Sequence, residues 1–143
     1  MLRRLALTAA ASAAALSALP ALPAAAHAST LPTTPIDRLT VTVTGMGGEG
    51  DGTYRLNCHP AGGTHPQAKE ACARLDEISV YGKDLFAPVP PGTMCTMQYG
   101  GPATARITGT WHGRPVNATY DRSNGCEIGR WNTLVPVLPA ASA

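Results

Sequence analysis

Apolar and polar residues alternate along several segments of the chain, and this alternation predicts most of its strands. Residues 39–44 place leucine and valine at every second position with threonines between them, as in a half-buried antiparallel strand. Residues 53–58 alternate again after a glycine-rich stretch, so the two segments are expected to form a β-hairpin. A second hairpin is predicted from residues 103–111 and 114–120, with His112-Gly113 as its two-residue turn.

One segment has the periodicity of a helix instead. Apolar residues in the range 65–77 recur three and four positions apart, and Thr64 followed by Gln67 has the form of an N-terminal capping box. We expect a helix here that packs on the sheet. The stretch 80–92 is rich in proline and glycine and is expected to be irregular, with a short helical turn near residues 84–86.

The C-terminal part contains weaker signals. Ser123-Asn124-Gly125 has the composition of a turn. The apolar run 134–138 is expected to be an edge strand, because its Pro136 cannot donate a hydrogen bond to a central ladder. Antiparallel strands with one clear helix indicate an α+β fold.

The N-terminal residues 1–28 have the organisation of a secretory signal peptide, which we expect to be removed. Arg3 and Arg4 precede an Ala/Leu-rich run, and Ala26-His27-Ala28 has the small-x-small form of a cleavage site before Ser29. A second possible site lies two residues earlier. A retained membrane helix is the alternative, but two prolines interrupt the run.

The mature chain is expected to be a secreted, extracellular protein of about 115 residues, enough for one domain. We expect a flexible N-terminal arm at residues 29–37 and the domain at residues 38–143. Without the two arginines of the signal segment, nine basic residues face nine acidic ones. The balance gives no reason to expect a nucleic acid or a membrane as partner.

The even number of cysteines predicts two disulfides in an exported protein. All four lie in the mature part, at Cys58, Cys72, Cys95 and Cys126. Three connectivities are possible. We favour Cys58–Cys72, which closes a short loop between a strand end and the helix, and Cys95–Cys126, which ties a proline-flanked loop to a distant turn.

Two other kinds of site are weighed against this interpretation. Cys58, His59, His65 and Cys72 contain zinc-ligand types, but their spacing matches no common finger and exported cysteines are usually oxidised. No serine lies in a nucleophile-elbow pattern. We therefore expect no metal, no cofactor and no enzymatic activity.

The segment Met94-Cys95-Thr96-Met97-Gln98-Tyr99 carries the most specific chemistry. Prolines and glycines flank it on both sides, at 90–92 and 100–102, which is typical of a surface loop. A substrate-mimic inhibitor of a serine protease needs a pocket-filling side chain, a pre-ordered extended backbone and an anchor close by. Met97 would supply the side chain and Cys95 the anchor.

The remaining residues of the loop fit the same interpretation. The attacked bond would be Met97–Gln98. Met94 would fill an upstream subsite, Tyr99 would pack beyond the bond, and Asn124 would hydrogen-bond carbonyls of the loop from below. The alternative is that both methionines are gap-filling core residues beside a structural disulfide.

Several stretches together resemble the Streptomyces subtilisin inhibitor family of small secreted serine protease inhibitors. The similarity runs from about Leu39 to Glu127 with all four cysteines in register. The stretches that carry it are Leu39-Thr40-Val41-Thr42-Val43, Gly63-Thr64-His65-Pro66, Ala71-Cys72-Ala73-Arg74-Leu75, Met94-Cys95-Thr96-Met97-Gln98-Tyr99, Trp111-His112-Gly113-Arg114 and Ser123-Asn124-Gly125-Cys126-Glu127.

The resemblance implies an antiparallel, about five-stranded sheet with helices packed on one face, and a homodimer formed through the sheet. It implies the two disulfides favoured above, Met97–Gln98 as the reactive bond, and Asn124 as loop support. The expected partners are subtilisin-like serine proteases, with chymotrypsin-like serine proteases as a second class.

Two departures from the family pattern support a competing interpretation. Thr96 stands where the family often has proline, and Gly100-Gly101 replaces an acidic residue with an apparent insertion that would loosen the downstream arm. The competing function is a secreted structural or interaction domain that keeps the scaffold without inhibiting proteases.

Overall fold

The computed structural model describes residues 37–142. The segments predicted as signal peptide and flexible arm lie outside these residues, except Asp37, which begins the first strand. The chain forms five strands and two α-helices, with one turn of 3₁₀ helix at Gly48–Gly50. Their bounds are β1 (Asp37–Thr44), β2 (Gly52–Cys58), β3 (Gly62–Gly63), α1 (Ala68–Ile78), β4 (Thr104–Trp111), β5 (Arg114–Tyr120) and α2 (Gly125–Thr133). The predicted α+β class and both predicted hairpins are confirmed.

All five strands form one antiparallel sheet in the order β3-β2-β1-β4-β5. The central strand β1 pairs Val41 with Tyr54 on one side and with Ile107 on the other. Because side chains alternate along a strand, Leu39, Val41 and Val43 lie on the buried face and the threonines between them lie on the opposite face.

Both helices contribute to the core on the buried face of the sheet. Helix α1 buries Ala71, Cys72 and Leu75, and the Cys58–Cys72 disulfide joins it to β2. Helix α2 buries Trp131, the largest of the fully buried side chains. Trp111, Tyr120 and Phe86 are also buried, so the few aromatic residues of the chain add volume to a core of mainly aliphatic residues.

The predicted helix exists, but its first turn is corrected. Helix α1 begins at Ala68, three residues later than expected, and its N-cap Gln67 makes no side-chain capping bond. The predicted capping box is wrong, because the Thr64 hydroxyl accepts a hydrogen bond from the backbone N–H of Arg55 in β2. His65 Nδ1 accepts the backbone N–H of Gln67 instead. Thr64 thus bonds to a neighbouring strand instead of capping the helix that follows it.

The irregular stretch between α1 and β4 is confirmed, with a smaller local structure than expected. Near Asp84 the chain makes one hydrogen-bonded turn, in which Ala87 N donates to Asp84 O at 3.2 Å. Asp84 Oδ1 also accepts the N–H of Phe86, whose side chain is buried in the core.

The C-terminal part differs most from the prediction. Ser123-Asn124-Gly125 is the start of helix α2 and not an isolated turn. The run 134–138 is not an edge strand: it turns back after α2, and Leu134, Val137 and Leu138 enter the core. The apolar pattern indicated burial correctly. It could not distinguish a buried turn from a buried strand, because both require apolar residues.

Neither helix among residues 37–142 has the length and apolar character needed to cross a bilayer.

Candidate functional site

Three large apolar side chains point into solvent from one loop. The exposed fractions are 95% for Met94, 96% for Met97 and 69% for Tyr99. Burying such a side chain fully would stabilise a fold by roughly 1.5–3 kcal/mol, so their exposure is not explained by stability. The alternative that the methionines are core residues is wrong.

On the upstream side, the loop is fixed to the beginning of helix α2. The Cys95–Cys126 disulfide joins the two segments with a Cα–Cα distance of 5.4 Å, as predicted. One residue further on, the backbone N–H of Gly125 donates to the carbonyl oxygen of Thr96 at 3.1 Å. This N–H belongs to the first turn of the helix, where backbone donors have no partner within the helix and favour a carbonyl oxygen.

The contact between Thr96 and helix α2 leaves no room for a side chain at Gly125. A Cβ atom there would overlap the Thr96 hydroxyl oxygen. Thr96 therefore sits directly against the helix end, and glycine at position 125 permits that approach.

Asn124 affects the loop indirectly, through the start of helix α2. It is the N-cap of α2, and its Oδ1 accepts the backbone N–H of Glu127 at 3.1 Å. The carbonyl of Thr96 is bound by the neighbouring backbone N–H of Gly125. The expected hydrogen bonds from the Asn124 side chain to loop carbonyls are not found among the described residues. Asn124 instead caps the helix whose neighbouring Gly125 N–H binds the loop.

On the downstream side, the loop is bound by Arg122. The N–H of Gly100 donates to Arg122 O at 2.7 Å, and Arg122 Nε donates back to Gly100 O at 2.9 Å. Gly101 has a φ of 100° and turns the chain towards β4. The expectation that Gly100-Gly101 loosens the arm is therefore wrong for Gly100, which two hydrogen bonds hold in place.

These attachments frame a short segment of free backbone. Within the loop residues 94–100, the backbone–backbone hydrogen bonds fall on Thr96 and Gly100. Met97, Gln98 and Tyr99 lie between them, with the Met97–Gln98 bond in the middle. No charged residue occurs from Ala87 to Ala105, so the exposed surface of the loop is neutral. The arrangement can present an apolar side chain and an accessible peptide bond to a cleft.

Sequence reasoning missed three parts of this site: helix α2, Gly125 and Arg122. One signal for the helix was present, since Asn124 followed by Glu127 is a capping-box pattern. The role of Arg122 had no local signal, because its partner Gly100 lies 22 positions away.

The residues weighed as a zinc set are engaged otherwise. Cys58 and Cys72 form a disulfide. His65 is buried, with its Nε2 2.9 Å from Val137 O. His59 has its Nδ1 2.7 Å from the Asp37 carboxylate, and this contact lies at the end of the sheet away from the loop.

Comparison with known proteins identifies the family. A model of the subtilisin inhibitor-like family matches residues 34–124. Protease inhibitor SIL-V2 of Streptomyces orinoci is 40% identical over 73 residues, which are 50% of this chain and 64% of that protein. Subtilisin inhibitor-like protein 1 of Streptomyces cacaoi is 37% identical over 83 residues, which are 56% of this chain and 73% of that protein. The chain thus spans roughly two thirds of the length of these relatives.

A solved structure is also similar. Sermetstatin of Streptomyces caespitosus, in complex with Bacillus licheniformis subtilisin, has 28% sequence identity and a TM-score of 0.43, covering 70% of this chain and 97% of that one. The family model alone covers more than half of the chain. The chain belongs to the subtilisin inhibitor-like family.

Proposed function

We propose that this protein inhibits subtilisin-like serine proteases by binding as a substrate through residues 94–100. The observation that carries the proposal is Met97, 96% exposed on a backbone that is attached on both sides of its peptide bond. The relatives named above as protease inhibitors support the same function. The protein is not an enzyme in this proposal; it occupies the active site of one.

The chemistry follows from how a serine protease works. The protease places Met97 in its specificity pocket and its serine attacks the Met97 carbonyl carbon, so that Met97–Gln98 is the reactive bond. Because the loop is already ordered, binding costs less conformational entropy than binding of a flexible peptide. An unbranched methionine adapts to a broad apolar pocket, which favours subtilisin-like and chymotrypsin-like enzymes over trypsin.

Met94 and Tyr99 extend the contact on the two sides of the bond. Met94 is the third residue before Met97 and is as exposed as Met97 itself. Tyr99 lies two residues beyond it. Exposed apolar side chains of this kind gain free energy when a cleft covers them.

Titration of active-site-counted subtilisin with the purified mature protein tests the function. We expect activity to fall linearly to zero at one inhibitor chain per enzyme, with the chain largely intact afterwards. Steady digestion without inhibition would instead show that the loop is only a substrate and would favour the structural domain that keeps the scaffold without inhibiting.

We further propose that the protein is exported and acts outside the cell. Two disulfides in a small domain suit an oxidising compartment, and residues 1–28 have the pattern of a signal peptide. N-terminal sequencing of the exported protein should find Ser29, or the residue two positions earlier, as the first mature residue. Finding Met1 on the exported protein would contradict removal of the signal.

We also propose a homodimer formed through the open face of the sheet. Opposite to the core, strands β1, β2, β4 and β5 expose a face on which threonine and arginine side chains predominate. Its hydroxyl groups can donate and accept hydrogen bonds across a two-fold axis. Sedimentation equilibrium of the mature protein tests the assembly.

A further inference from the structure

A buried guanidinium lies directly beneath the downstream side of the loop. The side chain of Arg122 is 4% exposed, which is rare for arginine unless its charge is paired. Within residues 37–142, however, no carboxylate lies within salt-bridge distance of it. Its partners are Gly100 O at 2.9 Å, Asn132 Oδ1 at 3.2 Å and the Trp131 ring, whose centroid is 5.7 Å from Cζ.

The three partners of the guanidinium connect the loop to the core. Asn132 and Trp131 belong to the last turn of helix α2, and Trp131 is fully buried. Gly100 is the loop residue, and it is bound in both directions because its N–H also donates to Arg122 O. A single residue thereby binds both backbone polar groups of Gly100, and its side chain extends this attachment to helix α2.

The fit around Gly100 is tight. A Cβ atom at this position would lie 2.9 Å from the side chain of Ile128 and 3.0 Å from Arg122 Nε. An alanine here would press on Ile128 and Arg122, so glycine favours the close approach of loop and arginine without any need for a special φ. Gly100 is the third residue after Met97, on the side that leaves when the bond is cut.

We propose that Arg122 is the positioning residue that keeps the leaving side of the reactive bond in place, and so separates lasting inhibition from slow digestion. The inference rests on the proposed function. When the protease cuts, its serine oxygen bonds to the Met97 carbonyl carbon, the bond to the nitrogen of Gln98 breaks, and the serine proton passes through the catalytic histidine to that nitrogen. The new amine is two residues from Gly100.

The two hydrogen bonds between Gly100 and Arg122, here called the clamp, act on the reverse reaction. If Gly100 stays bound, the amine of Gln98 remains near the acyl carbon, and its high local concentration favours re-formation of the peptide bond over attack by water. If Gly100 is released, the amine moves away and water completes the hydrolysis. On the upstream side, the Cys95–Cys126 disulfide already prevents loss of the acyl segment.

The test compares Arg122→Leu with the wild type on two forms of subtilisin. Association with a subtilisin whose nucleophilic serine is replaced by alanine reports binding alone, and mass spectrometry with active subtilisin reports the rate of cleavage at Met97–Gln98. We expect the association rate to stay within about threefold, and cleavage to become at least about tenfold faster. Arg122→Lys keeps one donor and should give an intermediate cleavage rate.

A matched control separates loop positioning from general stability. Arg130 also donates from α2 to backbone carbonyls, those of Ala87 and Thr119, and it pairs with Glu127. Among the described residues it makes no hydrogen bond to the loop 94–100. Arg130→Leu is therefore expected to lower the thermal midpoint without accelerating cleavage of Met97–Gln98. Equal acceleration in both variants, or none in Arg122→Leu, would overturn the proposal.

A second variant keeps the test decisive if Arg122→Leu does not fold. Gly100→Ala keeps the Arg122 side chain but crowds its contact with the loop, and we expect it to accelerate cleavage as well. Slow cleavage in this variant would contradict the role of the clamp. A wild type that fails to bind the inactive subtilisin would contradict the proposed function itself, which is a distinguishable result.

Discussion

At the scale of single residues, Met97 determines specificity in the proposed complex. We expect Met97→Lys to create inhibition of trypsin, whose pocket binds a cation, and to weaken inhibition of subtilisin by about 10–200-fold. Inhibition constants for both proteases check the result. Because the side chain is almost fully exposed, the substitution should leave the thermal midpoint unchanged.

Met94→Lys is the matched control for this change. Its side chain is 95% exposed in the same loop, so the added charge is equivalent, but it lies three residues away from the reactive bond. It should not create trypsin inhibition comparable to that of Met97→Lys. Equal trypsin inhibition by both variants, or no change in either protease, would show that Met97 is not the pocket residue.

A second residue-scale prediction concerns Gly125. We expect Gly125→Ala to displace Thr96 from helix α2, because the new Cβ would overlap the Thr96 hydroxyl. The carbonyl of Thr96 then loses its hydrogen bond, and active subtilisin should cleave the loop faster. Timed mass spectrometry of the complex measures the rate.

Gly129 offers a control in the same helix. It is exposed, and a Cβ there would meet nothing within 4 Å. Gly129→Ala should stabilise the protein by about 0.5–1 kcal/mol through helix propensity, with no effect on cleavage. If Gly125→Ala behaved like Gly129→Ala in both measurements, the contact between Thr96 and the helix would have no part in inhibition.

At the scale of elements, a histidine links β1, helix α1 and the β4–β5 hairpin at the end of the sheet away from the loop. His59 Nδ1 lies 2.7 Å from buried Asp37 and Nε2 lies 3.1 Å from Asp76. Asp37 also accepts the N–H of His112, whose ring stacks on Trp111 with centroids 4.6 Å apart. The hydrogen bond to Asp37, then that to Asp76, raises the pKa of His59.

This contact predicts a pH dependence of stability. A raised pKa in the folded state means that the protonated form is favoured by folding, so the stabilisation is complete below the ordinary histidine pKa of 6.5. It is lost as the pH rises through the raised value. We expect the free energy of unfolding, measured with guanidinium chloride, to fall across that window.

The substitution His59→Gln tests whether His59 causes this pH dependence of stability. The stability difference between wild type and variant should be largest below pH 6.5 and should shrink above the raised pKa. A pH profile that remains in His59→Gln would assign the effect to another group.

At the scale of the whole molecule, charge on the open sheet face predicts how the proposed dimer responds to salt. Arg38, Arg55 and Arg106 all point outwards from this face, around Thr40. None of the outward-facing residues of β1, β2, β4 and β5 is acidic. Two such faces repel each other, so added salt should strengthen the dimer by screening this repulsion.

Sedimentation equilibrium at about 0.02 M and about 0.5 M ionic strength measures the effect. Thr40→Arg adds a charge at the centre of the face and should dissociate the dimer. Thr133→Arg adds the same charge at the end of α2, on the core side of the sheet, and should not. Equal behaviour of the two variants would exclude the sheet face as the interface.

Much of the fold follows from local pattern. Strands β1, β2, β4 and β5 were predictable because alternation over six or more residues has no helical explanation. The edge strand β3 contains only Gly62 and Gly63 and has no pattern to detect. Helix α2 was missed because its nine residues include two glycines and few apolar positions.

The sequence alone determined the four long strands, the two disulfides, the exposed loop and its central methionine. These features depend on residue type and spacing over short distances, where sterics and alternation leave few choices. Tertiary structure decided what holds the loop on its downstream side. Arg122 and Gly100 are neighbours only because β4 and β5 pair and α2 returns beneath them, and a contact made by chain topology leaves no mark in the residues around it.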